Sequence, residues 1–516
     1  MRCSSFALIL LVAAVPAFAQ HESHTAPSNL VGNFVPKEVI ERPLPLRSGI
    51  GKVVHPTSTK SAEAQAYYEQ GLAYLHSYVW LEAARSFNQA LRIDPSLALA
   101  WVGLSRAYSG LDDTNAAAQA QDRAKALEDK VTDRERRWIR ARTLQLDAMA
   151  DLEDAGKRLA YVAALDAALE YDAGDAELWT LRGNAEEVHL GAAGRGQRGT
   201  FSSIVFYEEA IRRVPGHFPA HHYLIHSYEN VGRFDEALKH GEVYAAAASR
   251  VPHALHMYGH DLMKVGRMND AIEIFLRART LEHDYYASEK IQRDFDWHHA
   301  HNTALLALSY RHTGQLDATE RMLRDAASIQ QPSPVRAGYY RGLLASLLIA
   351  RGRHDEALGE ALSMTGSSTT IVKTLGHALA GRALMATGRA DEAKAHLLPL
   401  VTADAEADGF MYGSYARLEV DVAKGEWLLR SGERAKGEAL LRDAMARARR
   451  QRTPDGWIEG LFFLESIFTV ARDANDWDLA RDVVAKLVEH DPTYRGTKEA
   501  VDQIHPSTKD ERRRPK

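Results

Sequence analysis

From Ser61 almost to the end of the chain, apolar residues recur at steps of three and four, and no stretch alternates as a strand ladder does. The pattern predicts a succession of amphipathic helices. Before Ser61 the periodicity is missing. "RPLPLRSGIGKVVHPTST" is rich in Pro, Gly and Ser, so residues 20–60 are expected to form an extended arm.

The helical phase repeats. "VGRFDEAL" from Val231 returns as "VGRMNDAI" from Val265, "RGRHDEAL" from Arg351 and "TGRADEAK" from Thr387; Gly232 and Gly266 are 34 residues apart. Upstream, "EAARSFNQALRIDP" (Glu82 to Pro95) and "YEEAIRRVP" (Tyr207 to Pro215) close in the same way, as does "WDLARDVVAKLVEHDP" from Trp477 to Pro492. Each residue type has a physical task. Gly232 and Gly266 suit a turn that needs positive φ. Ala237, Ala271, Ala357 and Ala393 stand where two helices approach closely and only a small side chain fits. The prolines end second helices by removing a donor.

This layout resembles the tetratricopeptide repeat (TPR): two helices per unit, a small residue opening the second, a proline closing it. The resemblance covers most of the chain after Ser61, in roughly ten units. It implies an all-α, right-handed superhelical solenoid of stacked TPR helix pairs, with the first helix of each pair lining a concave groove.

Two departures break the period. "GNAEEVHLGAAGRGQRGTFSS" carries glycines at 191, 194, 196 and 199, and "EHDYYASEKIQRDFDW" stretches the step from Gly266 to Gly314 to 48 residues. Long insertions are often where function is built. They flank the richest run of histidines in the chain.

His222 and His226 lie ten and six residues ahead of Gly232, and His256 and His260 lie ten and six ahead of Gly266. Residues four apart share a helix face. The family resemblance places both positions on the groove wall, so four imidazoles are expected to converge, with His253 one turn earlier. "DWHHAHN" adds His298, His299 and His301, the last aligned with His253 of the preceding unit. Glu187 and His189 stand on the other flank, and Tyr223 and Trp297 interleave as stacking surface.

Imidazole suits zinc, copper, nickel and iron, and an i, i+4 pair can chelate. A carboxylate such as Glu187 or Asp296 would complete or orient a set. The candidate metal ligands are His222, His226, His256, His260 and His299, for zinc or copper; the candidate groove residues are Glu187, Tyr223, His253, Trp297, His298 and His301. Three readings stand side by side: a metal site, a metal-free groove for a peptide or small ligand, and packing alone. No HExxH motif is present.

Composition narrows the classes. The net charge of -5 over 516 residues supplies no basic field for nucleic acid or anionic lipid, and "KDERRRPK" reads as a solvated tail. "MRCSSFALILLVAAVPAFAQ" has the charged start, short apolar run and small-x-small site of a secretory signal, with cleavage expected after Ala19. The run is too short to span a bilayer, so no stable membrane insertion is expected. Export to the periplasm or the medium follows. The only cysteine, Cys3, would leave with that segment, removing thiolate chemistry and disulfides from the mature protein.

"HPTSTKSAEAQAYYEQGLAYLHSYVWLEAARSF", from His55 to Phe87, also resembles the opening of an exported bacterial group of TPR proteins with histidine-rich central repeats. That resemblance implies a shared groove, which His55 and His76 would approach from the N-terminal end. The expected divisions are 1–19 signal, 20–60 arm, 61–170 N-terminal units, 171–330 histidine-rich units, 331–495 C-terminal units and 496–516 tail. Function divides into an interaction scaffold that holds a protein segment or small ligand, and a metalloprotein, structural or catalytic.

Overall fold

The computed structural model describes residues 35–187, 201–331, 333–402, 411–451 and 453–504. The expected signal segment, the glycine-rich stretch with His189, and most of the tail lie outside them. Among the described residues there are 24 α-helices and no strand. Twenty-two of the helices form eleven consecutive pairs, running from Ala62–His76 with Trp80–Ile93 to Pro454–Asp473 with Trp477–His490. The chain is an all-α solenoid of TPR-like helix pairs.

The turn inside each pair shows why glycine recurs there. Gly232, Gly266, Gly314, Gly352, Gly388 and Gly432 all have φ between 73° and 87°. Three pairs place other residues in that left-handed slot: Tyr78 (φ 57°), Asp112 (65°) and Asn475 (55°). Asp and Asn tolerate it; a bulky tyrosine is strained there. The predicted small positions Ala237, Ala271, Ala357 and Ala393 are all fully buried.

The superhelix closes on itself. The Ala62–His76 helix of the first pair packs on Phe218–Asn230 of the fifth. Pro454–Asp473 of the eleventh packs on Pro252–Lys264 of the sixth and Trp297–His312 of the seventh. The inner wall is therefore interior rather than open groove. Two large apolar clusters make up most of the core, one reaching from Val35 to Met257 with Ile291 added, the other from Leu262 to Ala500. The histidine-rich helices lie where they meet.

Of the residues expected to form the arm, 35–60 are described; beyond a short helix Lys37–Ile40 they hold no helix or strand, and they pack against the helix pairs. Arg85 donates to the carbonyls of Arg42 and Pro43, the Gly49 carbonyl accepts from the Arg250 amide at 2.8 Å, and Ser58 N donates to Glu135. Gly51 (φ 87°) faces the Phe218 ring, and an added Cβ would lie 2.4 Å from Phe218 Cε1. One stretch of backbone thus crosses several helix pairs.

The second spacing departure has a structural cause. The helix Met268–Glu289 runs for 22 residues and stops at Lys290 in the left-handed conformation (φ 52°). Its extra turns return to the first pair: Glu289 binds Arg85 and Arg47, and the Tyr285 hydroxyl donates to Glu82 at 2.7 Å.

Candidate metal centre

Three inner helices bring the imidazoles together: Phe218–Asn230, Pro252–Lys264 and Trp297–His312. Two groups of three have ligand nitrogens all within 4.8 Å of one another: His222, His226 and His253, and His256, His260 and His301. His222 and His256 are 0% exposed, and His226 alone of the six is half-buried.

In the first group His222 Nδ1 donates to the backbone carbonyl of His76 at 2.6 Å, so the neutral ring turns a lone pair outward at Nε2. That single lone pair faces His253 Nε2 at 3.1 Å and His226 Nε2 at 3.2 Å. A tetrahedral ion about 2.0–2.1 Å from each nitrogen would set neighbouring ligand nitrogens about 3.3 Å apart. The spacing fits.

The second group is built alike. His256 Nδ1 donates to Asn302 Oδ1 at 2.9 Å, and Asn302 is held in that orientation because its Nδ2 donates to the Phe275 carbonyl at 3.3 Å. His256 Nε2 and both ring nitrogens of His260 are buried and make no hydrogen bond among the described residues. A buried polar atom without a partner costs roughly 1–3 kcal/mol. Three such nitrogens stand together in this group.

Glu282 anchors the next pair. Its two carboxylate oxygens accept from His298 Nδ1 and His299 Nδ1, each at 2.7 Å. Burial works to raise this carboxyl, but its contacts with His298 and His299 outweigh that and hold it at about 2. His298 stands beside the two groups, its ring 5.1 Å from His253 and 4.7 Å from His256. His299 does not join them. Consecutive residues differ by about 100° around a helix, and its ring neighbours are His283 and Tyr286. The expectation that His299 is a metal ligand is corrected on that ground.

Burial, and then neighbouring imidazoles, hold His222, His253, His256 and His260 well below the ordinary histidine range, and burial takes His301 down to about 3. All are neutral at pH 7, the form that ligates. Acidic groups stand behind the second group. Glu229 Oε1 is 4.0 Å from His260 Nδ1, and Asp455 Oδ1 is 4.0 Å from His301 Nδ1. Burial pushes Glu229 up to about 8.

The expected groove residues take other places. Glu187 and Tyr223 are buried, and the Tyr223 hydroxyl donates to His76 Nδ1 at 2.8 Å while His76 Nε2 donates to Glu177 at 2.7 Å. Trp297 is half-buried, stacks on Trp80 at 5.2 Å and donates to the Tyr78 carbonyl at 3.2 Å. His253 and His301, expected as groove residues, complete the two groups of three. An open groove at these side chains is corrected to a closed interior, because the turns of the superhelix touch. His55 stays apart, between Tyr68 and Asp175. A cavity of about 700 Å³ opens elsewhere, lined by arm residues with Arg134, Glu177 and His217.

The sequence reading missed Tyr78, Glu282 and Asn302. Tyr78 occupies the glycine slot of the first pair, and its ring lies 4.6 Å from His222 and 5.2 Å from His253. Alignment on Ala83, five residues later, exposes the substitution. Glu282 lies in the stretch that breaks the period.

Fold and site together define a TPR-like solenoid with a polyhistidine interior. No family model matches the chain, and no curated protein matches it. Among solved structures it is similar to human IFIT1, a dimer with PPP-AAAA, at 14% identity over 83% of this chain and 91% of that one, TM-score 0.38. It is also similar to the APC/C hetero-tetramer Cut9-Hcn1, at 13% identity over 87% and 78%, TM-score 0.34. TPR-like repeats described as a Podosopora anserina kinesin light chain match at 18% identity over 35% and 91%, TM-score 0.30.

Proposed function

We propose that this protein is a TPR-like solenoid whose interior carries a transition-metal centre, zinc or copper, bound by the imidazoles of His222, His226 and His253 and of His256, His260 and His301. One observation carries the reading. The Nδ1 protons of His222 and His256 are committed to fixed acceptors, leaving their Nε2 lone pairs turned toward other imidazoles. Metal-ligating histidines are typically oriented in this way. Packing alone leaves the His256 Nε2 lone pair without a donor among the described residues. Export, read from residues 1–19, belongs to the same proposal and places the protein where metal is unbuffered by cytosolic thiols.

The test is elemental analysis of protein purified without a polyhistidine tag, with thermal unfolding before and after zinc or copper. Stoichiometric metal and a higher melting temperature are expected. Protein free of metal, with a melting temperature unmoved by either ion, ends this reading.

A second reading is an interaction scaffold for an extended protein segment. The arm supports it: residues 42–58 run without helix or strand across several helix pairs, bonded through backbone groups to Arg85, Arg250 and Glu135. A partner segment of similar character would compete for that edge. Proteolysis of the arm accelerated by a bound partner tests it.

A further inference from the structure

The ring contacts run on past the two groups. His253 is 5.0 Å from His222, 5.9 Å from His256 and 5.1 Å from His298. His298 is 4.7 Å from His256, which is 4.2 Å from His260 and 4.8 Å from His301. With His226 at 5.0 Å from His222, seven imidazoles form one continuous file. At its middle, His253 Nδ1 and His298 Nε2 are buried and make no hydrogen bond among the described residues. The ring of His298 cannot turn to find one, because its Nδ1 proton is held by Glu282.

We propose that the two groups are halves of one dinuclear copper centre, with His253 and His298 between the ions and a small anion bridging them. This rests on the metal reading above and goes beyond it in metal, nuclearity and ligand. Copper follows from the donor set. It is all imidazole, without thiolate or carboxylate inside either group, and for such nitrogen ligands copper heads the affinity order of the divalent ions. The bridge follows from charge. Two dications held only by neutral rings in a buried site carry a large uncompensated charge. Glu282 and Asp455 offset part of it from behind the rings. An anion between the ions, hydroxide or added azide, supplies negative charge where the repulsion is strongest.

The experiment loads tag-free protein with Cu(II), counts copper per chain, and integrates the electron paramagnetic resonance signal with and without azide. The proposal expects two copper ions per chain and loss of nearly all the spin signal on adding azide, because bridged ions couple. In His298→Ala, shown to be folded by circular dichroism, loss of the one free ring nitrogen of His298 should lower the count below two copper ions per chain and leave an uncoupled signal. Two ions with full signal throughout, or one ion per chain, overturns the dinuclear centre and leaves the metal reading standing. A His298→Ala protein as strongly coupled as the parent removes His298 from between the ions. Neither copper nor zinc bound takes down both proposals.

Discussion

His222 donates its Nδ1 proton to the backbone carbonyl of His76, 2.6 Å away and 146 positions earlier in the chain. The acceptor belongs to the first helix pair and the donor to the fifth, so the tautomer of the central imidazole is set by closure of the superhelix. A backbone carbonyl has no alternative protonation state. The ring is aimed by the fold itself.

Asn302 does for His256 what the His76 carbonyl does for His222, but with a side chain that can be replaced. Asn302→Leu keeps the volume close and removes the acceptor. Metal affinity should fall about 10–100-fold, the usual cost of losing an outer hydrogen bond to a ligating histidine. Competition against a chelator measures it; unchanged affinity means that His256 is not a ligand.

His217 supplies a pH dependence that can be isolated. Burial takes it down to about 4, and its Nε2 hydrogen-bonds Thr180 Oγ1 at 2.9 Å. In the unfolded chain it titrates near 6.5. Below that value the unfolded state binds the extra proton, so the stability contributed by the neutral ring is present above about pH 6.5 and drains away toward pH 4 at roughly 1.4 kcal/mol per pH unit. Buried Glu229 and Glu459, both pushed up to about 8 by burial, slope the opposite way. The comparison is therefore between wild type and His217→Gln. Denaturant melts at pH 7.5, 6 and 5 should show wild type losing stability more steeply; parallel slopes would contradict the assignment.

Tyr78 is buried in a left-handed turn, and its hydroxyl makes no hydrogen bond among the described residues. Tyr78→Phe should be neutral or raise stability by up to about 1 kcal/mol, since it deletes an unsatisfied polar atom. Tyr78→Gly relieves the backbone but empties the space beside His222, and should destabilise by about 3 kcal/mol, the lower range for removing a buried aromatic ring. Thermal unfolding of both variants decides whether ring or backbone dominates.

The two apolar clusters meet at the histidine helices, so a bound ion would tie them together. Metal should slow amide hydrogen exchange in Phe218–Asn230, Pro252–Lys264 and Trp297–His312, and leave Thr370–Ala386 unchanged. Uniform slowing along the chain, or none, would show that these helices are not the site.

Repeat phase made the helices, the turn glycines and the convergence of His222, His226, His256 and His260 legible in the sequence, because all are local or recur at one period. What was hidden is non-local. No period announces that the first pair docks on the fifth, and that contact turns the expected groove into an interior. His299, one residue on from His298, has His283 and Tyr286 as its ring neighbours instead of the two groups. Glu282 and Asn302 were missed since one conserves no phase and the other sits inconspicuously beside His301. Tyr78 was visible only as a glycine that should have been there.

The most direct measurement is a crystal of copper- or zinc-soaked, tag-free protein with diffraction collected on both sides of that metal's absorption edge. The account predicts anomalous peaks about 2.0–2.1 Å from His222 Nε2 and His256 Nε2. Peaks confined to surface histidines, with the interior rings undisturbed, would contradict it.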